Sequence, residues 1–356
     1  MKRAGVVGAS GILGGELLRL LAGHPGIEIE YVSAQSRAGR PATELNPHLK
    51  DAGIGDFEAF DAQVAAKRCD VVFLATPPET AGKAVPELLA AGAEVVVDLS
   101  PAYRVRDPEL HGQWYPEVER SQEIAESAVY GLPELNRDQL ADANVIAMPG
   151  CFATAILLAA LPLRELDGVA YDSIAVDGKS GSTGSGARLR ESGAHTWRAN
   201  VVAPYAPRGH RHVAEVRQAM GDHGISSNGR PPRIGMTTYG VDLVRGLSVG
   251  LYSFYEGELD ERTLRRAYHR TYRDEYFVRV QVGRGSALPL PDPKAVVGSN
   301  FCDVAPFVDE STDRLVLIAA IDNMVKGGAG QAIQACNVRL GLPEQQGLEA
   351  IPVFPA

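Results

Sequence analysis

The strongest constraint on the fold is a glycine turn near the start of the chain, within AGVVGASGILG at residues 4–14. A short apolar strand at 4–7 runs into the pattern Gly8-x-x-Gly11-x-x-Gly14, and a periodic helix follows at once. Glycines at such a junction permit a tight turn and let backbone N–H groups approach a pyrophosphate at the helix N-terminus. The spacing differs from G-x-G-x-x-G, so a plain tight turn is the alternative. The position at the first strand–helix junction favours a dinucleotide site.

Short apolar strands alternate with helices through the first 150 residues. We predict further strands at 27–33, 69–77, 94–100 and 143–150, with a helix at 79–93. Buried strands that alternate with helices are typical of a parallel sheet with crossover connections. The first part of the chain is therefore predicted to be an α/β, doubly wound dinucleotide-binding (Rossmann) domain.

The pattern changes after residue 150. Longer, more alternating strands are predicted at 171–181, 232–257 and 314–323, with helices at about 211–222 and 260–274. This is typical of an α+β domain with a largely antiparallel sheet. An amphipathic helix at 328–342 is expected to pack on the first domain. The predicted domains are 1–150, completed by about 328–356, and a catalytic and oligomerisation domain at 151–327, whose sheet suits a homodimer or homotetramer.

The end of the second strand indicates which dinucleotide binds. Domains that bind NAD usually place an acidic residue there for the ribose hydroxyls. This chain instead reads VSAQSRAGR, with no acid. Hydroxyls and a guanidinium suit a 2′-phosphate, which favours NADP over a merely solvated basic loop. The predicted cofactor-binding residues of this domain are Gly8, Ser10, Gly11, Ile12, Leu13, Gly14, Ser33, Ser36 and Arg37.

Cys151 follows Pro149 and Gly150 and precedes a run of helix formers. A thiol in the first helical turn lies among unpaired backbone N–H groups at the positive end of the helix dipole. Both effects favour the thiolate, which is the reactive form. The alternative is a small buried residue, which is what most free cysteines are. Cys151 is the candidate nucleophile, and Cys69, Cys302 and Cys336 are predicted to be structural.

Composition limits the classes of partner and location. The chain has 356 residues, 45% of them hydrophobic, and a net charge of −9, which argues against broad nucleic-acid binding. Its four cysteines share no C-x-x-C pattern, so neither a disulfide scaffold nor a paired-cysteine zinc site is expected. The longest apolar run, 152–163, is too short to span a bilayer, and no signal peptide is seen. We therefore expect a cytoplasmic protein that does not bind membranes.

Taken together, these motifs resemble the N-acetyl-γ-glutamyl-phosphate reductase family, part of the wider aspartate-semialdehyde-dehydrogenase-like group. The resemblance covers nearly the whole chain. Aspartate-semialdehyde dehydrogenase is the alternative within the group, but GHRHVAEV and DNMVKGGAGQA fit the glutamyl-phosphate family better. The matching segments are GASGILGGELLRLL, VVDLSPAYRVRDP, YGLPEL, MPGCFATA, DGKSGSTGSGA, GHRHVAEV, LVRG and AAIDNMVKGGAGQAIQACN.

The chain departs from the family pattern around the cysteine. Met148 stands where the family commonly has Asn, and Phe152-Ala153 where it usually has Tyr-Pro. The segments WRANVVAPYAPRGHRH and Cys-x-Ala-Thr look more like the branch that acts on carrier-protein-linked aminoadipyl or glutamyl phosphate. KSGSTGSGA looks like the N-acetylglutamyl branch. The resemblance thus implies an acyl-phosphate substrate whose amino group is either acetylated or attached to an amino-group carrier protein, and leaves this N-blocking group open.

The resemblance implies reduction of an acyl phosphate to an aldehyde through a thioester on Cys151. It assigns the catalytic base to His210, whereas His212 falls near a helix N-terminus, where the dipole disfavours an imidazolium. A metal site at this histidine pair is disfavoured because no third ligand lies at a recognisable spacing.

Substrate phosphate and carboxylate require cationic or N–H donors. Arg104 is the best phosphate candidate and Lys179 the next, while Arg211 could bind phosphate or be a surface charge. The Gly/Ser-rich segment SGSTGSGA is either a flexible linker or an anion-binding loop, and its place after a strand favours the latter. Ser180 and Gly181 from this segment are predicted to bind the cofactor, and the resemblance places Asn323 near the nicotinamide.

Overall fold

The computed structural model describes residues 1–186, 191–226, 229–281 and 290–354. The chain divides into two compact units. The first is Met1–Pro149 with Gly328–Ala350, and the second is Gly150–Gly327 with the last residues from Ile351 onward. The divisions fall beside the boundaries proposed from the sequence at 150 and 327.

The first unit contains a sheet in which every pairing is parallel. Its strands lie in the order β2-β1-β3-β4-β6-β5. The predicted doubly wound α/β domain is confirmed. The two-residue strand β5 was not predicted because it is too short to show a hydrophobic pattern. The strands are β1 (Lys2–Val7), β2 (Ile27–Ser33), β3 (Val71–Leu74), β4 (Val96–Asp98), β5 (Val129–Tyr130) and β6 (Val145–Ala147).

Helices connect these strands and cover the sheet. All four residues of β3 and all three of β4 and β6 are buried, which explains why these strands are continuous apolar runs without alternation. The helices are α1 (Ile12–Ala22), α2 (Ala62–Arg68), α3 (Pro78–Ala90), α4 (Pro108–Trp114), α5 (Gln122–Ser127) and α6 (Pro133–Leu140).

The second unit is built on a larger mixed sheet of order β11-β12-β13-β10-β7-β9-β8. The pairs β7–β9 and β11–β12 are parallel and the other pairs are antiparallel, as predicted for an α+β domain. Its strands are β7 (Ile174–Ser180), β8 (Val202–Tyr205), β9 (Ile234–Val241), β10 (Leu247–Phe254), β11 (Val278–Val280), β12 (Cys302–Asp309) and β13 (Arg314–Ile321). Its helices are α7 (Cys151–Ala160), α8 (His195–Arg198), α9 (His212–Asp222) and α10 (Glu261–Tyr272).

Helix α7 is the central helix of the second unit. Its residues from Phe152 to Ala160 are all buried, and only Cys151 at its start is partly exposed. It packs against α9 and against strands β10, β12 and β13. Within the described residues, no helix is both long and apolar enough to cross a membrane.

The last helix, α11 (Gly330–Arg339), belongs to the first unit as expected. The Gln331 side chain donates to the Gly131 carbonyl at 3.1 Å, and His24 Nε2 lies 3.1 Å from Asn337 Oδ1. The assignment of residues after 350 to the first domain needs correction. The Val353 N–H donates to the Val297 carbonyl at 3.0 Å, and this backbone bond joins the extended tail to the second unit.

The glycine turn between β1 and α1 leaves no room for side chains. Gly8 has a φ of +81°, and a Cβ there would lie 2.5 Å from the Ala75 carbonyl oxygen. A Cβ on Gly14 would lie 2.4 Å from the Gly8 carbonyl oxygen. The N–H groups of Gly8 and Ala9 both donate to the Ser33 carbonyl at 3.0 Å. The ends of β1, β2 and β3 therefore hold the backbone of the turn open toward a ligand.

A comparison of Gly8→Ala with Gly39→Ala separates the steric from the conformational part of the loss in unfolding free energy. Gly39 has a φ of +80° and nothing within 4 Å of its would-be Cβ. We expect Gly39→Ala to cost about 1–2 kcal/mol, the usual penalty of left-handed backbone. Gly8→Ala should cost more, because it adds a backbone clash, and should also abolish NADPH binding. Urea unfolding of both variants tests this, and equal losses of unfolding free energy would contradict it.

Candidate active site

Cys151 is the first residue of α7, as the sequence predicted for a reactive thiol. Gly150 precedes it in an extended conformation, and no side chain caps this helix end. Cys151 is half-exposed, whereas Cys69, Cys302 and Cys336 are buried. Burial raises the pKa of the Cys69 and Cys336 thiols to about 12. Among the four cysteines, Cys151 alone combines solvent access with a helix N-terminus, the setting that favours a thiolate.

The imidazole of His212 lies directly against Gly150. Helix α9 begins at His212, and its buried ring is so close that a Cβ on Gly150 would lie 2.4 Å from Nε2. A side chain at position 150 would displace this ring. The absence of a side chain at Gly150 therefore allows the His212 imidazole to lie against the residue that precedes Cys151, the candidate nucleophile.

Glu215 connects the same two elements. It lies one turn after His212 on α9 and is almost fully buried. Its Oε2 accepts the Gly150 N–H at 3.1 Å, and its Oε1 lies 3.9 Å from His212 Nε2. The sequence analysis missed Glu215. The available signal was the spacing His-x-x-Glu in HVAE, which places both side chains on one helix face.

His210 lies beside His212, with ring centroids 4.6 Å apart. Its Nδ1 accepts the His212 backbone N–H at 3.2 Å. Burial, and secondarily the charge of Arg211, lower the pKa of His210 to about 4. His210 is therefore neutral near pH 7. Because Nδ1 accepts a hydrogen bond, the neutral ring carries its proton on Nε2 and acts there as a donor.

A second group of loops meets where β7, β10 and β13 come together. The Asn323 side chain accepts the Gly246 N–H at 2.8 Å and donates to Thr183 Oγ1 at 2.9 Å. The Gly181 N–H donates to the Gly246 carbonyl at 2.9 Å. The structure thus brings together Ser180, Gly181 and Asn323, which the sequence analysis placed at the cofactor. Ala187, the last residue of SGSTGSGA, lies outside the described residues.

This loop group is connected to Cys151 through the turn after Asn323. The Gly327 N–H donates to the Asp322 carbonyl at 2.9 Å. A Cβ on Gly327 would lie 2.8 Å from Cys151 Cβ, so this turn packs directly on the start of α7. The sequence analysis did not single out Gly246 or Gly327. Their role depends on contacts between distant segments, which no local pattern shows.

Lys179 does not join this group, contrary to its predicted role in substrate binding. Side chains alternate along β7, and Gly178 faces Phe152 of α7. Lys179 therefore lies on the opposite face, where its Nζ is 2.5 Å from Asp177 and 5.7 Å from the Tyr239 ring centroid. Arg211, by contrast, is exposed at the start of α9 beside His210.

In the first unit, the residues after β2 only partly match the expected 2′-phosphate site. Ser36 is exposed and Arg37 half-exposed in the short turn Gln35–Arg37. Arg40 is paired with Glu44. Ser33 needs correction as a ligand-binding side chain. It is fully buried and contributes its carbonyl to the glycine turn instead.

The start of α1 fits a dinucleotide. No side chain caps this helix end, and Ser10, Gly11, Ile12 and Leu13 are all at least partly exposed. The space that a Cβ on Gly8 or Gly14 would fill is already taken by backbone, so only glycine permits this turn. The Gly11 N–H donates to the Gly8 carbonyl, so the N–H groups offered to a ligand come from the neighbouring Ile12 and Leu13. The described residues thus satisfy the requirements of a pyrophosphate cradle.

Arg104 is buried and makes contacts that stabilise its own unit. It donates to the Leu99 carbonyl at 2.8 Å and to the Met148 carbonyl at 2.5 Å. Nearby, Asp98 accepts the N–H and hydroxyl of Ser100, and burial raises the pKa of Asp98 to about 6. The guanidinium therefore links the segments that follow β4 and β6, in addition to any contact with substrate.

Comparison with known proteins identifies the family. Residues 3–143 match the semialdehyde dehydrogenase NAD binding domain, and residues 151–323 match the semialdehyde dehydrogenase dimerisation domain. An N-acetyl-gamma-glutamyl-phosphate reductase of Bacillus cereus is 37% identical over 352 residues, 99% of both chains. The chain belongs to the N-acetyl-γ-glutamyl-phosphate reductase family. The reductase is accordingly an NAD(P)-dependent oxidoreductase, and these findings support the predicted use of NADP.

The names of other relatives give a substrate different from N-acetyl-γ-glutamyl phosphate. The [LysW]-L-2-aminoadipate/[LysW]-L-glutamate phosphate reductase of Sulfurisphaera tokodaii is 36% identical over 356 residues, all of both chains. The corresponding putative enzyme of Nitrosopumilus maritimus is 37% identical over 353 residues, 99% of both chains.

Solved structures confirm the fold of the reductase. Aspartate semialdehyde dehydrogenase II from Vibrio cholerae, complexed with ASA, has a TM-score of 0.70 at 16% identity, covering 96% of this chain and 98% of that one. The aspartate semialdehyde dehydrogenase from Candida albicans, solved with NADP, has a TM-score of 0.69 at 16% identity, covering 95% and 98%. At this identity the likeness concerns the fold alone.

Removing the Arg37 guanidinium should weaken NADPH binding selectively. Arg37 follows β2, and a charge-assisted contact to the 2′-phosphate predicts a loss of about tenfold or more in NADPH affinity. NADH affinity should stay unchanged in Arg37→Ala. Arg40→Ala is the matched control, because Arg40 is already paired with Glu44. Titration calorimetry measures both cofactors, and equal losses for NADPH and NADH would contradict the assignment.

Proposed function

We propose that the enzyme catalyses the NADPH-dependent reductive dephosphorylation of N-acetyl-γ-glutamyl phosphate to N-acetylglutamate semialdehyde, a step of arginine biosynthesis. The observation that carries this proposal is the contact of His212 and Glu215 with Gly150, immediately before Cys151 at the start of α7. This arrangement supplies a nucleophile, a base and a buried carboxylate, which is what acyl transfer to a thiol requires.

Cys151 thiolate attacks the carbonyl carbon of the acyl phosphate. The bond from that carbon to the phosphate oxygen breaks, phosphate leaves, and a thioester forms on Cys151. When bound, NADPH supplies the hydride that reduces the thioester carbonyl. Collapse of the resulting hemithioacetal oxyanion breaks the carbon–sulfur bond, releases the aldehyde and restores the thiolate.

The geometry supports a different base from the one expected. His210 donates from Nε2 and has its Nδ1 occupied by the His212 N–H, so it suits hydrogen bonding to the substrate's carbonyl oxygen. His212 suits proton transfer with Cys151, because Glu215 faces its Nε2 and stabilises the imidazolium that forms. The helix dipole at the start of α9 disfavours an imidazolium at His212, but the negative charge of the Glu215 carboxylate counteracts this effect.

Cationic groups for the substrate's phosphate come from Arg211 and Arg104. Arg211 is exposed beside His210, and Arg104 is kept as the cationic phosphate candidate that the sequence suggested. Both remain part of the proposal. Lys179 is left out because it lies on the other face of β7.

Carrier-linked aminoadipyl or glutamyl phosphate is the second candidate substrate. It is supported by the names of the Nitrosopumilus maritimus and Sulfurisphaera tokodaii relatives, which cover 99% or more of the chain at 36% identity or more. The reaction at Cys151 would be the same, and the carrier protein would be a partner. We further propose a cytoplasmic homo-oligomer, a dimer or tetramer, consistent with the dimerisation domain of the second unit.

Running the reaction in reverse tests the substrate. Purified enzyme is given NADP and phosphate with N-acetylglutamate semialdehyde, with a carrier-linked semialdehyde, or with aspartate semialdehyde. The proposal predicts NADPH formation with the first. Activity with the carrier-linked substrate alone would establish the second candidate. Activity with only aspartate semialdehyde would contradict both.

Replacing the nucleophile should separate chemistry from binding. Cys151→Ser should fold and bind NADPH like the wild type, because Cys151 is half-exposed at a helix end. Turnover should be lost, since a protonated serine hydroxyl is a far weaker nucleophile than a thiolate. Cys69→Ser serves as the cysteine control, because Cys69 belongs to the first unit. Turnover of Cys151→Ser within about tenfold of wild type would remove Cys151 from the mechanism.

The two histidines should differ in their effect on turnover. His212→Ala should lower kcat by about two to four orders of magnitude, the usual contribution of a general base. His210→Ala should cost less, about a hundredfold, the lower end of the usual loss for one hydrogen-bond donor to a developing oxyanion. Both values are measured at saturating substrate, with circular dichroism as the folding control. A larger loss in a folded His210→Ala variant would return the base role to His210.

A further inference from the structure

The ring of Phe152 contacts both histidines of the site. Phe152 follows Cys151 on α7 and is buried. Its centroid lies 5.5 Å from that of His210 in an edge arrangement and 6.1 Å from that of His212. Tyr205 completes the cluster, with its centroid 6.1 Å from that of His210. Aromatic contacts of this kind favour defined mutual orientations of the rings.

The position of Phe152 depends on a glycine in β7. A Cβ on Gly178 would lie 2.6 Å from Phe152 Cε1 and 3.0 Å from Cδ1. The ring therefore rests on the bare backbone of the strand. Any side chain at position 178 would push the ring away from the sheet, in the direction of the histidines.

We propose that Phe152 is a positioning residue for the histidine pair, and that Gly178 provides the space that sets its depth. The ring lies between β7 and the two imidazoles and limits how far they can withdraw from Gly150. This inference rests on the proposed function for its effect on turnover. It concerns the geometry of His210 and His212 only, so it can be tested without the substrate.

Two substitutions disturb the proposed positioning of the histidines by Phe152, one at the ring itself and one at Gly178 beneath it. Phe152→Leu removes the aromatic edge, and Gly178→Ala displaces the ring while leaving it present. Misplacement of a catalytic group by about 1 Å can cost a hundredfold, so each should lower kcat by about tenfold or more. Each should also slow alkylation of Cys151 by iodoacetamide at pH 7 and move its pH dependence to higher pH. NADPH affinity should be unchanged.

Two variants serve as controls. Phe152→Tyr keeps the ring and should restore alkylation and kcat to near the wild-type values. A Cβ on Gly235, on the neighbouring strand β9, would lie 4.0 Å from the nearest atom, the Ile174 carbonyl oxygen, so Gly235→Ala should behave like the wild type. Circular dichroism checks folding, and mass spectrometry confirms that Cys151 is the alkylated residue.

The inference is overturned if folded Gly178→Ala is alkylated at the wild-type rate with an unchanged pH profile. It is also overturned if Phe152→Tyr is as impaired as Phe152→Leu. If Phe152→Leu does not fold, Gly178→Ala and Phe152→Tyr decide the question. Alkylation needs no acyl phosphate. A wild-type enzyme that reduces none of the candidate substrates would thus refute the proposed function while this test still stands.

Discussion

The hydrogen bond from the Gly150 N–H to the buried Glu215 carboxylate is the contact on which the site depends. It ties the start of α7, where Cys151 lies, to the first turn of α9, which carries His212. Charge-assisted hydrogen bonds to a buried carboxylate are among the stronger polar contacts, and removing one partner leaves an uncompensated charge. The Glu215 side chain thus holds the start of α7 and faces the imidazole of His212.

The missing side chains of three glycines allow this packing. Gly150 leaves room for the His212 ring, Gly178 for the Phe152 ring, and Gly327 for Cys151 itself. A Cβ at any of the three would lie under 3.0 Å from its neighbour, so each position requires a backbone without a side chain. The first unit has the same kind of close packing, because the turn at Gly8 and Gly14 lies directly against backbone atoms. Close approach of neighbouring atoms explains these glycines, and at Gly8 the positive φ is a second reason.

Local patterns in the sequence were sufficient for the architecture and for the position of Cys151 at the start of a helix. Strand β2, the start of α7 and the glycine turn each have short-range signals that the structure reproduces. Lys179 and Ser33 lie away from the positions that the sequence suggested, because which way a strand residue faces depends on the sheet around it. Glu215 and the Asn323 network were missed or undervalued because their contacts join residues far apart in the chain, which one sequence does not reveal.

The most direct test of the account is a search for the acyl-enzyme. The enzyme is mixed with NADP and N-acetylglutamate semialdehyde, or the carrier-linked semialdehyde, in buffer without phosphate, and NADPH formation is followed rapidly. Because aldehyde oxidation precedes phosphate attack, the account predicts a burst close to one NADPH per active site. The Cys151 peptide should then carry the acyl group in the mass spectrum. No burst and no adduct, with full turnover once phosphate is added, would contradict a thioester on Cys151.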